Sequence, residues 1–229
     1  MSEKPDPIVS FDDVDAADEA QESTSRSSHA YKAISHMIRV RRLVGNEVII
    51  EAKLATMLGI SRTPLREALQ RLEGEGLVRK RSNRSFIVRK VDLAEYLHSL
   101  KVRQLLEPEA AALAQGNVDL KRAALVRNEI EDLRLLPDKH GEPHWNSDDA
   151  VHDLVLDSSG NPVLARMVRE LRVTTRLFEI STLSDRVTAD LDEHTAILDA
   201  LVNGDARISR RAMAQHLKSL ARHALASVS

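Results

Sequence analysis

The stretch Leu58–Val78, LGISRTPLREALQRLEGEGLV, constrains the fold of this chain more than any other. Leu65, Ala68, Leu69 and Leu72 recur at i, i+3, i+4 and i+7, so the spacing predicts a helix with one buried face. Thr63 is the expected N-cap, with Pro64 in the first helical position, where a missing N–H costs nothing. Arg62 and Arg66 then project from the helix N-terminus, away from the leucines. Gly59 supplies the turn before this helix, and Gly74 and Gly76 stop it. The pattern is a helix-turn-helix with its basic end exposed, the geometry that lays side chains on base edges in a major groove.

The flanking segments fit that reading. A helix is expected from His29 to Arg42, with Tyr31, Ile34, Met37 and Ile38 on one side. A turn into a short extended piece, LVGNEVII, follows, and then a second helix from Glu51 to Leu58. After Gly76, LVRKRSNRSFIVRKV reads as two short strands around a polar turn at Ser82 and Asn83. Arg79, Lys80, Arg81, Arg84, Arg89 and Lys90 make that hairpin basic, as a DNA-contacting wing would be.

Charge is distributed accordingly. The net charge of −2 would by itself argue against a nucleic-acid partner. Two basic residues against eight acidic ones give residues 1–28 a net −6. Fourteen against five give residues 29–91 a net +9, and the remaining 17 against 22 give residues 92–229 a net −5. A basic module lies between an acidic tail, expected to be disordered, and a mildly acidic domain. There is no cysteine, which excludes disulfides and thiolate chemistry and fits a cytoplasmic protein. No apolar run approaches a membrane span and no signal-peptide core is present, so a cytoplasmic location is expected.

Beyond Leu93 the strand signals vanish. Helical periodicity covers 93–116, 118–136, 144–158, 162–182, 185–203 and 205–226, broken by Gly, Pro and Asn. Asn161 followed by Pro162 is an N-cap and first-turn pair. Six helices with short connections predict an antiparallel bundle. The expected fold is therefore mainly α: a winged helix-turn-helix of three helices and a β-hairpin over 29–91, then an all-α bundle over 92–229. No Gly-rich phosphate loop or Ser/His/Asp nucleophile signature accompanies it.

Within the bundle, Asp148 and His152 are four residues apart on one helix face, and His194 and His216 each sit beside apolar neighbours. An i, i+4 carboxylate–imidazole pair meeting imidazoles from other helices is a good metal cage, with a donor set suited to Zn²⁺, Ni²⁺ or Mn²⁺. Spacing alone favours each histidine as a hydrogen-bonded core or surface residue over a ligand, and allows Asp148 to be a helix cap. His29, His36, His98, His140, His144 and His223 have no comparable partners and read as surface or packing residues. Arg103 either pairs with Glu107 at i+4 or grips a carboxylate ligand, and spacing favours the ion pair.

Two runs carry a family resemblance. LATMLGISRTPLREALQRLEGEGLV resembles the winged helix-turn-helix of GntR-type bacterial transcription regulators. VRQLLEPEAAALA, SDDAVHDLVLDSSGNPVLARMV, EHTAILDALVNGD and MAQHL are similar to the FCD ligand-binding domain of the FadR subfamily. The resemblance implies a homodimer that binds a two-fold-symmetric operator on double-stranded DNA. Ser61, Arg62, Thr63 and Arg66 match recognition positions, and Asn83 and Arg84 a wing tip in the minor groove. It also implies a divalent metal, Zn²⁺ first with Ni²⁺ or Mn²⁺ as alternatives, on Asp148, His152, His194 and His216. Arg103 matches an arginine that holds a small organic acid beside the metal. The implied function is a transcriptional regulator, a repressor in most such proteins, and not an enzyme. A metal-dependent hydrolase and a pure metal sensor are the alternative uses of the same cage.

The chain departs from the family at four places. Val44-Gly45 stands for a Pro-Gly turn, Arg41 for a turn glycine, Ser85 for a wing-tip glycine, and Ala52 for a DNA-contacting arginine.

Overall fold

A computed structural model describes residues 11–137 and 141–227. Helix α1 (Phe11–Arg39) leads to strand β1 (Val48–Ile50), α2 (Glu51–Leu58) and α3 (Arg62–Gly74). Strands β2 (Val78–Ser82) and β3 (Ser85–Val88) close the N-terminal half. The C-terminal half is helical: α4 (Leu93–Ala114), α5 (Leu120–Leu135), α6 (Glu142–Ser158), α7 (Pro162–Thr182), α8 (Val187–Asn203) and α9 (Ala206–Ala226). A short 3-10 turn, Ser184–Arg186, precedes α8.

The leucine face of α3 is buried as its spacing requires, with Leu65, Ala68, Leu69 and Leu72 all inaccessible to solvent. Ala30, Ile34 and Ile38 of α1 share its core, so α1 lies along α3. Gly59 caps α2 at φ 67°, a left-handed conformation that glycine adopts without penalty, and that bend sets α3 against α2.

Two expectations are corrected here and a third is completed. The N-cap of α3 is Ser61 rather than Thr63, so the helix starts earlier, and Ser61 makes no side-chain capping bond. The segment from Phe11 is helical and continuous with α1, whereas disorder was expected through residue 28; residues 1–10 lie outside the described residues. The extended piece after Val44 is a strand of the wing sheet, because β1 and β2 both pair antiparallel with β3 in the order β1-β3-β2. Phe86 on the middle strand faces Ile49 and Lys80 and is buried.

The six bundle helices coincide closely with the six periodic segments. Asp92, Asn161 and Asp205 cap α4, α7 and α9 by accepting a bond from the backbone N–H three residues on, and Asp119 caps α5. Helix α4 is central, packing against α6, α7 and α9. Its buried Ala110, Ala111 and Ala114 let α9 approach closely. Helix α8 packs on α5 and α9, which brings α6, α8 and α9 around one interior point.

Candidate metal cage and nucleic-acid interface

On α6, Asp148 and His152 lie one turn apart among the buried Trp145, Val151 and Val155, so both turn inward. His194 on α8 is flanked by Leu191, Ile197 and Leu198, and His216 on α9 by Met213, Leu217 and Leu220, all buried. The three imidazoles meet with ring centroids 4.8 to 5.6 Å apart. One ligand atom from each histidine and from Asp148 lies within 4.8 Å of the others. Asp148 Oδ1 is 3.5 Å from His194 Nε2 and 3.8 Å from His152 Nε2.

The outward ring nitrogens of His152 and His216 are held, whereas Nδ1 of His194 is buried without a hydrogen-bond partner. His152 Nδ1 lies 2.5 Å from Glu107 Oε2, and His216 Nδ1 lies 2.9 Å from Glu193 Oε2. A carboxylate at Nδ1 keeps the proton there and turns the Nε2 lone pair inward. The Nε2 atoms of His152, His194 and His216 are buried and have no hydrogen-bond partner. Such orphaned acceptors are costly, and a cation among them removes the cost. Burial lowers the His152 pKa to about 4 despite Glu107, and burial with the neighbouring His216 holds His194 well below its ordinary value. Both rings are therefore neutral near pH 7, the form that coordinates metal. Burial raises the Asp148 carboxyl, but Arg176 and Arg172 outweigh it and keep Asp148 ionised. One carboxylate and three imidazoles fit a divalent cation.

Arg103, only 2% exposed, makes the ion pair its spacing favoured: its Nε lies 2.5 Å from Glu107 Oε1, and Nη1 donates to Thr175 at 2.7 Å. Glu107 thus joins Arg103 to the cage histidine. Sequence reasoning missed Glu193, Arg172 and Arg176 altogether, since nothing in their own spacing marks them. His144, read as a surface or packing residue, is buried with Nε2 3.3 Å from Asp190 Oδ2. His36 is exposed and 3.0 Å from Glu142, and His140 lies outside the described residues.

At the other end of the molecule, Ser61, Arg62, Thr63 and Arg66 are exposed at the start of α3. Arg66 donates to Glu51 at 2.7 Å, which braces α3 against α2 and leaves its guanidinium about half exposed. Asn83 and Arg84 form the exposed two-residue tip of the β2–β3 hairpin, and the Ser82 and Ser85 hydroxyls meet at 2.7 Å beneath it. Arg89 does not belong to this basic face. It bonds Thr174 of α7 and Glu95 of α4, and so ties the wing to the bundle. Arg41 occupies a left-handed backbone position, φ 58°, which accounts for glycine being usual in that turn.

A helix-turn-helix with an exposed basic end and a basic wing, joined to an all-helical bundle, is the architecture of a winged-helix transcription regulator. The match to the FCD domain over residues 98–219 and to bacterial regulatory proteins of the gntR family over residues 26–88 places the chain in that family. It belongs to the GntR regulators with an FCD domain, which are transcription regulators and not enzymes, and the hydrolase alternative falls with that. An HTH-type transcriptional regulator in an unstable DNA locus of Streptomyces ambofaciens is 29% identical over 199 residues, 83% of this chain and 81% of the relative. The HTH-type transcriptional repressor RspR of Escherichia coli is 24% identical over 174 residues, 74% and 76% of the two chains. Among solved structures, E. coli McbR/YncC superposes with a TM-score of 0.75 over 89% of this chain and 99% of that one, at 22% identity. Among the described residues no helix is long and apolar enough to cross a membrane.

Proposed function

We propose that the protein is a metal-loaded repressor whose hold on a two-fold-symmetric operator, as a homodimer, is set by a small organic acid bound at the cage. The observation that carries this reading is the convergence of three unpartnered buried Nε2 atoms on Asp148 Oδ1, with Glu107 and Glu193 orienting two of the rings from behind. Asp148, His152, His194 and His216 would hold the ion, which supplies coordination positions to a ligand carboxylate. Arg103 is one carboxylate removed from the cage, paired with Glu107, and would hold an acid's carboxylate by exchanging that partner for it. Ser61, Arg62, Thr63 and Arg66 would read the major groove, and Asn83 and Arg84 the minor groove. An acid with different affinity for two dimer arrangements shifts the balance between them, and with it the spacing of the recognition helices.

The test is fluorescence anisotropy with DNA from the protein's own upstream region, with and without chelator, against a panel of organic acids. Salt-sensitive binding that one acid reverses only in metal-loaded protein supports the proposal, and Arg103→Met should weaken that acid while metal uptake persists. Binding that responds to metal and to no acid would leave a metal sensor instead.

A further inference from the structure

Asp148 is shared between two environments. Its Oδ1 faces His152 and His194, while Oδ2 accepts from Arg172 Nη2 at 2.7 Å and from Arg176 Nη2. The same two Nη2 atoms donate to Oδ1 of the adjacent Asp149, at 2.7 and 2.8 Å. Asp149 then presents Oδ2 to Arg39 Nη2 at 3.2 Å, and Arg39 Nη1 donates to Asn146 Oδ1 at 2.9 Å. Arg39 ends α1, the helix whose Ala30, Ile34 and Ile38 pack with the recognition helix. Charges of alternating sign therefore run from the cage carboxylate to the DNA-binding head, through side chains on three helices.

The surroundings make this line mechanical as well as electrostatic. Around it a cleft of about 760 Å³ separates α1 from α7, walled by Arg39, Asp149, Arg172 and Arg176. Arg39 reaches Asn146 and Asp149 of α6 at its edge, while the α7 wall carries the apolar Val173, Leu177 and Ile180 beside Arg172 and Arg176. Arg172 and Arg176 are about one-tenth exposed, so their pull on each aspartate is weakly screened. Because both aspartates compete for the same two guanidinium groups, drawing charge from Asp148 at Oδ1 releases the arginines towards Asp149.

We infer that Asp148, the Arg172–Arg176 pair, Asp149 and Arg39 form the link through which occupancy of the cage is felt by the DNA-binding head. The inference rests on the cage holding a metal. The link is a chain of weakly screened charges, so removing a charge at its far end changes affinity for a cation at the near end. Without Arg39, Asp149 draws the two arginines more strongly, Asp148 is less neutralised, and metal binds more tightly. Without the Asp149 charge the arginines settle on Asp148 and metal binds more weakly.

The experiment is calorimetric titration of Mn²⁺ into the chelator-stripped full chain and its Arg39→Ala, Arg39→Lys and Asp149→Asn variants, each checked for native helix content. Affinity should rise at least about fivefold in Arg39→Ala and fall by a similar factor in Asp149→Asn. Arg39→Lys keeps the charge but not the fork that spans Asn146 and Asp149, and should follow Arg39→Ala. Affinity within twofold of the parent in Arg39→Ala overturns the link, and so does a lysine variant that matches the parent, since a simple field would then suffice. A parent chain that takes up neither Mn²⁺ nor Zn²⁺ overturns the metal reading itself, and the link with it.

Discussion

Glu107 Oε2 lies 2.5 Å from Nδ1 of His152, while its other oxygen lies 2.5 Å from Arg103. One carboxylate on α4 thus fixes the tautomer of a histidine on α6 and neutralises a buried guanidinium. Burial pushes the Glu107 carboxyl up, but Arg103 and His152 more than offset it and hold it below the usual carboxylate range. Glu193 plays the corresponding part for His216 from the half-exposed side of the bundle.

The two carboxylates should therefore fail differently when neutralised. Glu193→Gln is expected to lower metal affinity about 10- to 100-fold, as loss of an outer partner to a ligating histidine does, with little loss of stability. Glu107→Gln should lower affinity similarly and also cost up to about 3–5 kcal/mol of stability, because it leaves the buried Arg103 with only the more distant Glu179, 3.9 Å away, as a charge partner. Calorimetric titration with metal and urea unfolding would separate the two effects.

Stability without metal should depend on pH through His152. Its folded pKa of about 4 is below the ordinary 6.5, so the unfolded chain binds more protons between those values. Stability is full above about pH 6.5 and falls as pH drops towards 4, by about 3 kcal/mol from this one group. Urea titrations of chelated protein between pH 7 and 4 would show it. Saturating metal should flatten the upper part of the curve, where protons and metal compete for the same ring.

Arg66→Ala should weaken specific operator binding by about 1–3 kcal/mol, the value of one good base contact. It also removes the brace to Glu51, so α3 should lose some hydrogen-exchange protection at its start while the bundle keeps its own. Unchanged operator affinity would remove Arg66 from the recognition surface.

The turn after α1 carries strain at Arg41, whose φ of 58° puts its Cβ close to the following carbonyl. Arg41→Gly should relieve it and raise the thermal midpoint, with a net gain of up to about 1 kcal/mol once the extra freedom of glycine in the unfolded chain is counted. A midpoint that falls would show that the Arg41 side chain supports the turn in some other way.

The boundaries of the six bundle helices, the helix-turn-helix and the hairpin were readable from spacing, because periodicity, caps and turn residues act within a few residues of one another. The convergence of Asp148, His152, His194 and His216 was suggested by inward-facing positions and by family likeness. That each faces the same point depends on how α6, α8 and α9 pack around α4. The start of α1, the pairing of β1 with the wing, the N-cap at Ser61 and the inward turn of Arg89 were not legible. Each depends on a partner distant in sequence or on a choice between near-equal local alternatives. The same reason hid Glu193, Arg172 and Arg176, whose partners lie 23 to 28 residues away. The sequence by itself determined the periodic elements, the basic end of the helix-turn-helix and the types of donor available for a cage. Only the tertiary structure decided which donors meet, which charges are shared and where the head touches the bundle, because long-range pairing follows from how faces pack and leaves no period in the chain.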